Sequence, residues 1–152
     1  MNKITSFQVD HTKMHEGLYI SRIDGDITTY DMRTRKPNAG TYMDNGTMHT
    51  FEHMFATFVR NSAIADSIIY FGPMGCQTGF YLLVRGAENK VVIEIIKDIL
   101  KNIISYHGEV FGCSEIECGN FRTLDLSLAV EEAKRYYETI KNITEKDLSY
   151  PV

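Results

Sequence analysis

No block of lysines and arginines occurs anywhere in the 152 residues, and the net charge is −4. Without a basic patch nothing gathers phosphates or anionic lipid, so neither nucleic acid nor a membrane surface is an expected partner. The opening residues, MNKITSFQVDHTKMHEGLYI, lack a basic stretch followed by a continuous apolar one, and no later segment approaches the length of a membrane span. A cytoplasmic location is therefore expected. Cysteine is scarce: three residues, an odd number without regular spacing, fit a reducing compartment and direct attention to metal binding or catalysis. Internal repeats and low-complexity segments are also absent. What remains is 43% hydrophobic content in a chain long enough for a genuine core and too short for two ordinary domains. Residues 1–152 are expected to form one domain that takes a small molecule or another protein.

The first third is rich in β-formers. GLYISRI and ITTYDMRTR flank DGD, a turn signal, and so predict a hairpin. After the Pro-, Asn- and Gly-containing loop KPNAGTYMDNG, helical periodicity runs from Thr47 to about Asn61. DSIIYFGPMGCQTGFYLLVRG predicts a second hairpin with Cys76 at its bend. In NKVVIEIIKDILKNIISYHG, Val92, Ile95, Ile96, Ile99 and Ile103 follow helical spacing, and Gly108 stands where a C-terminal stop is expected. EVFGCSEIECGNFRT is irregular. A last helix is predicted from about Leu126 to Asn142, with Asp125 as N-cap and Leu128, Ala129, Tyr136 and Ile140 on its apolar side. Hairpins mixed with helices, rather than alternating strictly with single strands, argue for an α+β fold with an antiparallel sheet packed against helices.

The segment HTFEH, residues 49 to 53, lies on the first long helix. On a helical wheel His49, Glu52, His53, Ala56 and Arg60 share one arc of roughly 100°, while Met48, Phe51, Phe55, Phe58 and Val59 occupy another. The helix thus has an apolar face for the core and a polar face gathering both histidines, a glutamate and an arginine. Histidines four apart lie one above the other and can share an ion through neutral ring nitrogens, with Glu52 in reach of a metal-bound water. The competing reading is a helix with two surface histidines. H-x-x-E-H is also the order of inverse zincin peptidases. Those use a downstream glutamate as third ligand in a much longer chain, and they leave Cys76 without a task. Arg60 would project from the same face about 10 Å beyond His53, a suitable distance for the far end of an anionic substrate.

Two histidines need a third ligand if a catalytic ion is to keep an open position. His107, Cys113 and Cys118 are the candidates, and spacing alone does not choose between the cysteines. Thiolate suits Zn²⁺ or Fe²⁺, and in ECGN a glycine beside Cys118 would let backbone pack closely. Cys76, in GPMGCQTGF, sits on a glycine-flanked turn, where a thiol near a cation can act as base or nucleophile. A small buried hydrophobe is the commoner fate of a lone cysteine.

SFQVDHTK, DMRTRKPN, HTFEH, GPMGCQTGFY and ECGN, in this order over nearly the whole chain, resemble the S-ribosylhomocysteine lyase (LuxS) family. The resemblance implies a metal bound by His49, His53 and Cys118, and Cys76 and Glu52 as the catalytic acid/base pair. It implies substrate contacts at a homodimer interface from Ser6, His11, Arg33 and Arg60. Tyr70 and Gly72 depart from the aspartate and serine frequent in the family, and Thr29 stands where lysine is expected. The implied reaction converts S-ribosylhomocysteine to homocysteine and 4,5-dihydroxy-2,3-pentanedione, a furanone autoinducer precursor, by carbonyl migration and β-elimination. Fe²⁺ is the expected ion in the cell, with Zn²⁺ or Co²⁺ compatible with His₂Cys.

Overall fold

Two hairpins build one sheet. In the computed structural model, which describes residues 1–152, β1 (Gly17–Asp24) and β2 (Ile27–Arg33) turn at the DGD segment. The second hairpin, β3 (Ile68–Pro73) and β4 (Gly79–Arg85), joins it with strand order β1-β2-β4-β3, every pair antiparallel. The α-helices are α1 (Thr5–Gln8), α2 (Asn45–Val59), α3 (Asn89–Ser105) and α4 (Leu126–Ile140), with short 3-10 turns at Ala65–Ser67, Phe121–Thr123 and Glu145–Asp147. The α+β class with an antiparallel sheet is as expected. No helix is long and apolar enough to cross a membrane.

Alternation along the strands separates two environments. Tyr30 and Met32 of β2, Phe71 of β3, and Phe80, Leu82 and Val84 of β4 enter a core of 27 buried residues. Phe51 of α2 lies 4.7 Å from Phe80 between ring centroids, and Phe55 lies 4.5 Å from Phe71. The opposite face carries Thr29, Asp31 and Arg33 of β2 with Tyr81 and Leu83 of β4. The N-terminal residues Ile4, Thr5 and Ser6 border it at one cleft, and Tyr150 reaches Asp31 from the C-terminal end.

Several boundaries differ from the sequence reading, each for a local reason. α1, a single turn, lies in the segment read as β-rich. α2 starts at Asn45 because Asp44 caps it, accepting from Thr47 N at 2.7 Å, and it ends at Val59 rather than about Asn61. Arg60 is therefore its C-cap residue. α3 stops at Ser105, before Gly108: Tyr106 turns extended, and its ring packs near Phe58 and Phe111. On α3, Ile93 and Leu100 are buried with Val92, Ile96, Ile99 and Ile103, whereas Ile95 is only partly buried. α4 begins at its expected cap, Asp125, which accepts from Ser127 N, and ends two residues short of Asn142.

Gly79 fixes how the hairpins meet. A Cβ there would lie 2.6 Å from the Met32 carbonyl oxygen, so only glycine lets β4 approach β2 opposite Arg33. This contact brings the Cys76 bend against the end of β2, where Thr34 N and Arg35 N both donate to Thr78 O at 3.0 Å.

Candidate active site

The polar face of α2 meets the irregular segment between α3 and α4. One ligand atom each from His49, His53 and Cys118 converge so that all lie within 4.8 Å of one another. Cys118 Sγ is 3.3 Å from His49 Nε2. Of the other candidates for third ligand, His107 is exposed, and Cys113 packs against the hydrophobic core. All three cysteines are free thiols.

Hydrogen bonds select which nitrogen each histidine presents. His53 Nδ1 donates to the Phe111 carbonyl at 2.8 Å, leaving Nε2 with its lone pair. His49 Nδ1 lies 2.6 Å from Thr123 Oγ1, whose single proton is engaged with the Asn120 carbonyl at 3.1 Å. The threonine oxygen can then only accept, which places the His49 proton on Nδ1 and frees its Nε2. Outer partners of this kind fix the tautomer and ring direction of metal-binding histidines. His49 is held below the usual histidine range, first by burial and then by the neighbouring His53. A neutral imidazole is the form that binds a cation. Two such nitrogens and a thiol fit one divalent ion with positions left open.

Gly112 makes room for this arrangement. Its φ is +70°, and a Cβ would lie 3.1 Å from His53 Nδ1. Gly119, beside Cys118, plays no such part, since a Cβ there would meet nothing within 4 Å. Close backbone packing thus occurs at the glycine next to Cys113, not at the one next to Cys118.

Glu52 lines the same cleft of about 210 Å³ as His49, together with Asn45, Met48, Pro73, Asn120 and Thr123. Its carboxyl is raised above the ordinary glutamate range by burial, opposed by the adjacent His53. A second cleft of about 360 Å³ lies beyond Pro73, which borders both. Ser6, Phe7, His11, Arg33, Cys76 and Tyr81 are among its walls. His11 Nδ1 donates to Val9 O at 2.9 Å, so its Nε2 is free. Cys76 is exposed on the bend of the second hairpin, next to Gln77 with a left-handed φ of 65°. Arg33 Nη1 donates to Thr78 Oγ1 at 2.7 Å and stands 3.9 Å from Cys76 Sγ. The Thr78 hydroxyl proton is thereby left for the sulfur, 2.9 Å away.

A family model described as S-Ribosylhomocysteinase (LuxS) matches residues 4–147. The chain belongs to that family. It is 47% identical to an S-ribosylhomocysteine lyase of Desulfotalea psychrophila, covering 99% of each chain. Those of Borreliella afzelii and Finegoldia magna are 42% and 41% identical, at 99% of this chain and 99% or more of theirs.

For this LuxS-family chain, the residues singled out in the sequence divide between two places. His49 and Glu52 line one cleft, with His53 and Cys118 grouped beside His49; Ser6, His11, Arg33 and Cys76 line the other. Arg60 borders neither: it is exposed at the end of α2, and its Nη2 donates to Ile69 O at 3.3 Å. Arg33 is not a free anchor either, because its fork is held by Asp31 at 2.6 and 3.1 Å. Tyr70 and Gly72, which the sequence reading set apart from the family pattern, form a matched pair, since a Cβ at position 72 would collide with the Tyr70 side chain. Thr123 and Phe111 were not singled out by the motif because they come from segments far along the chain, the first from the end of a 3-10 turn. Asp31 did leave a signal: two residues before Arg33 on a strand, it had to share that side chain's face.

Proposed function

We propose that this chain cleaves the C–S thioether bond of S-ribosylhomocysteine, releasing homocysteine and 4,5-dihydroxy-2,3-pentanedione. The observation that carries the reading is the convergence of His49, His53 and Cys118 within 4.8 Å beside a half-buried Glu52. The names of the S-ribosylhomocysteine lyases that this chain resembles across its length support the same substrate.

His49 and His53 would hold one divalent cation through their Nε2 atoms, and Cys118 through its thiolate. Once bound, that cation supplies Lewis-acid polarisation of the substrate's oxygens. The protein's own residues move the protons. Cys76 carries them between adjacent carbons as the sugar carbonyl migrates, with Thr78 and Arg33 stabilising its sulfur as an anion. Glu52 then takes the proton on the carbon between the ketone and the thioether-bearing carbon. The C–S bond breaks as that electron pair forms the double bond, homocysteine leaves as the thiolate and takes up the proton that Glu52 removed, and the enol left behind tautomerises to the diketone. No water is consumed, so the reaction is an elimination. Burial suits Glu52 to proton transfer with carbon, because a desolvated carboxylate is a stronger base.

A homodimer with sites at its interface completes the proposal. Its support is twofold: Cys76 and His49 line different clefts of one subunit, and exposed apolar residues lie beside the Cys76 cleft, Phe7 in its wall and Ile4 and Tyr70 in a neighbouring cleft that shares Ser6 and Tyr81 with it. In that arrangement Ser6 and His11 contribute to substrate contact from one subunit, and Arg60 contributes from across the interface. The 152 residues work as one domain around a common core. Fe²⁺ is the working ion, Zn²⁺ or Co²⁺ being able to replace it. A reducing cytoplasm is supported by three free thiols, one of them, Cys118, grouped with the two histidines. The product serves autoinducer synthesis and the homocysteine serves methionine recycling.

Thiol release from S-ribosylhomocysteine by anaerobically purified protein, with metal analysis of the same sample, tests the reading. Release should be lost in Glu52→Gln and Cys76→Ala, by about 10²-fold or more, while both variants keep their metal. Absence of thiol release with Fe²⁺, Co²⁺ and Zn²⁺ alike would overturn it.

A further inference from the structure

Asp31 and Arg33 project from the sheet face away from the helices, yet their side chains are only 0% and 3% exposed. Arg33 forks onto Asp31, Nε to Oδ1 and Nη2 to Oδ2, and turns its remaining nitrogen, Nη1, to the Cys76 bend. A buried carboxylate at this range would cancel much of the positive charge presented to the sulfur. The end of the chain alters that balance. Tyr150, 119 residues further on, donates its phenol proton at 2.7 Å to Asp31 Oδ2, the oxygen that also receives Arg33 Nη2. The Tyr150 ring rests on Tyr19, with centroids 5.0 Å apart, so the hydroxyl is held in place by packing. Burial first, and Asp31 next, push the phenol well above the ordinary tyrosine range, so it remains a donor at neutral pH. A hydrogen bond to a carboxylate draws off negative charge and weakens its hold on other partners.

We propose that Asp31 and Tyr150 are positioning residues for Cys76: Asp31 fixes the Arg33 guanidinium against the bend, and Tyr150 limits how far that carboxylate cancels its charge at the sulfur. The proposal deepens the reading of Cys76 as proton carrier and rests on it for its catalytic meaning. The C-terminal segment is thereby part of the active-site support, although it touches neither Cys76 nor the metal ligands.

The two residues should act in opposite directions, which separates tuning from loosening. In the full-length, zinc-loaded protein at pH 7, alkylation of Cys76 by iodoacetamide is followed by peptide mass spectrometry, which resolves it from Cys113 and Cys118. Tyr150→Phe should slow it about threefold or more, and Asp31→Asn, which loses the charge but keeps an amide oxygen to accept from Arg33 and so to hold it against the bend, should quicken it by a similar factor. General loosening of the bend would move both variants the same way, and that result, or a wild-type rate in Tyr150→Phe, would overturn the proposal. Should Asp31→Asn fail to fold, steady-state kinetics of Tyr150→Phe decide instead: a fall in kcat at constant KM is expected, and a change confined to KM would sink the idea. If the wild-type protein releases no thiol, the lyase reading falls by itself, while the Tyr150→Phe alkylation rate still judges the network.

Discussion

Thr123 Oγ1 receives the Nδ1 proton of His49 at 2.6 Å while its own proton is committed to the Asn120 carbonyl. The threonine thereby orients a histidine 74 residues earlier in the chain. In Thr123→Val, which keeps the shape and removes the acceptor, Zn²⁺ affinity should fall about 10- to 100-fold. Competition against a chromophoric chelator measures this, and thiol release should recover at excess metal. A variant with wild-type affinity would show that the bond has no influence on ligation.

Gly112 and Gly119 offer a matched pair of substitutions. Gly112→Ala places a methyl group at a left-handed φ and against His53 Nδ1, whereas Gly119→Ala adds one in open space. The first should destabilise the protein by about 1–2 kcal/mol from backbone strain alone and should also lower metal content. The second should leave both close to wild type. Urea denaturation with and without metal checks the contrast, and equal losses in the two variants would refute it.

Arg35 pairs with Glu132 through Nε at 3.0 Å and Nη2 at 2.6 Å, and the Glu132 side chain is only 2% exposed. The pair ties the loop after β2 to α4. Arg35→Met strands a buried carboxylate and should cost about 3–5 kcal/mol at pH 7, whereas Arg35→Met with Glu132→Leu should recover most of the loss. Double-mutant denaturation at one pH supplies the comparison.

Alkaline pH should unfold the protein in step with its tyrosines. Burial raises Tyr19, Tyr81, Tyr136 and Tyr150 above the ordinary tyrosine range and pushes Tyr30 up to about 12. Unfolded tyrosine releases its proton near pH 10, roughly, so above that value the unfolded chain holds fewer protons than the folded one. The stability these groups contribute is complete below about pH 10 and is lost as pH climbs through their folded values. Tyrosinate absorbance from these residues should appear together with loss of far-UV circular dichroism. Full ionisation in a protein that keeps its circular dichroism would contradict the burial argument.

Much of the fold was legible because the patterns are local. The DGD turn, the α3 heptad-like spacing of isoleucines and the Asp125 cap depend on neighbours in sequence. Element ends were less legible: α2 stops at Val59 and α3 at Ser105 for reasons that involve packing around Phe58, Tyr106 and Phe111. The wheel that grouped Arg60 with His49 assumed that the helix continued through it. At a C-cap, the side chain goes where the next strand offers a carbonyl, here that of Ile69.

By itself, the sequence determined that two histidines and a glutamate share one helix face, that Cys76 sits on a tight bend, and that Asp31 and Arg33 share one strand face. Backbone periodicity dictates each of these. Spacing left Cys113 and Cys118 open and the family resemblance chose Cys118; only the tertiary structure decided that Cys113 packs against the core, that Thr123 and Phe111 aim the rings, and that Tyr150 closes the Asp31–Arg33 pair. Those contacts join residues 58 to 119 apart in the chain, and hydrogen bonding at such separations follows from how the core packs the loops together.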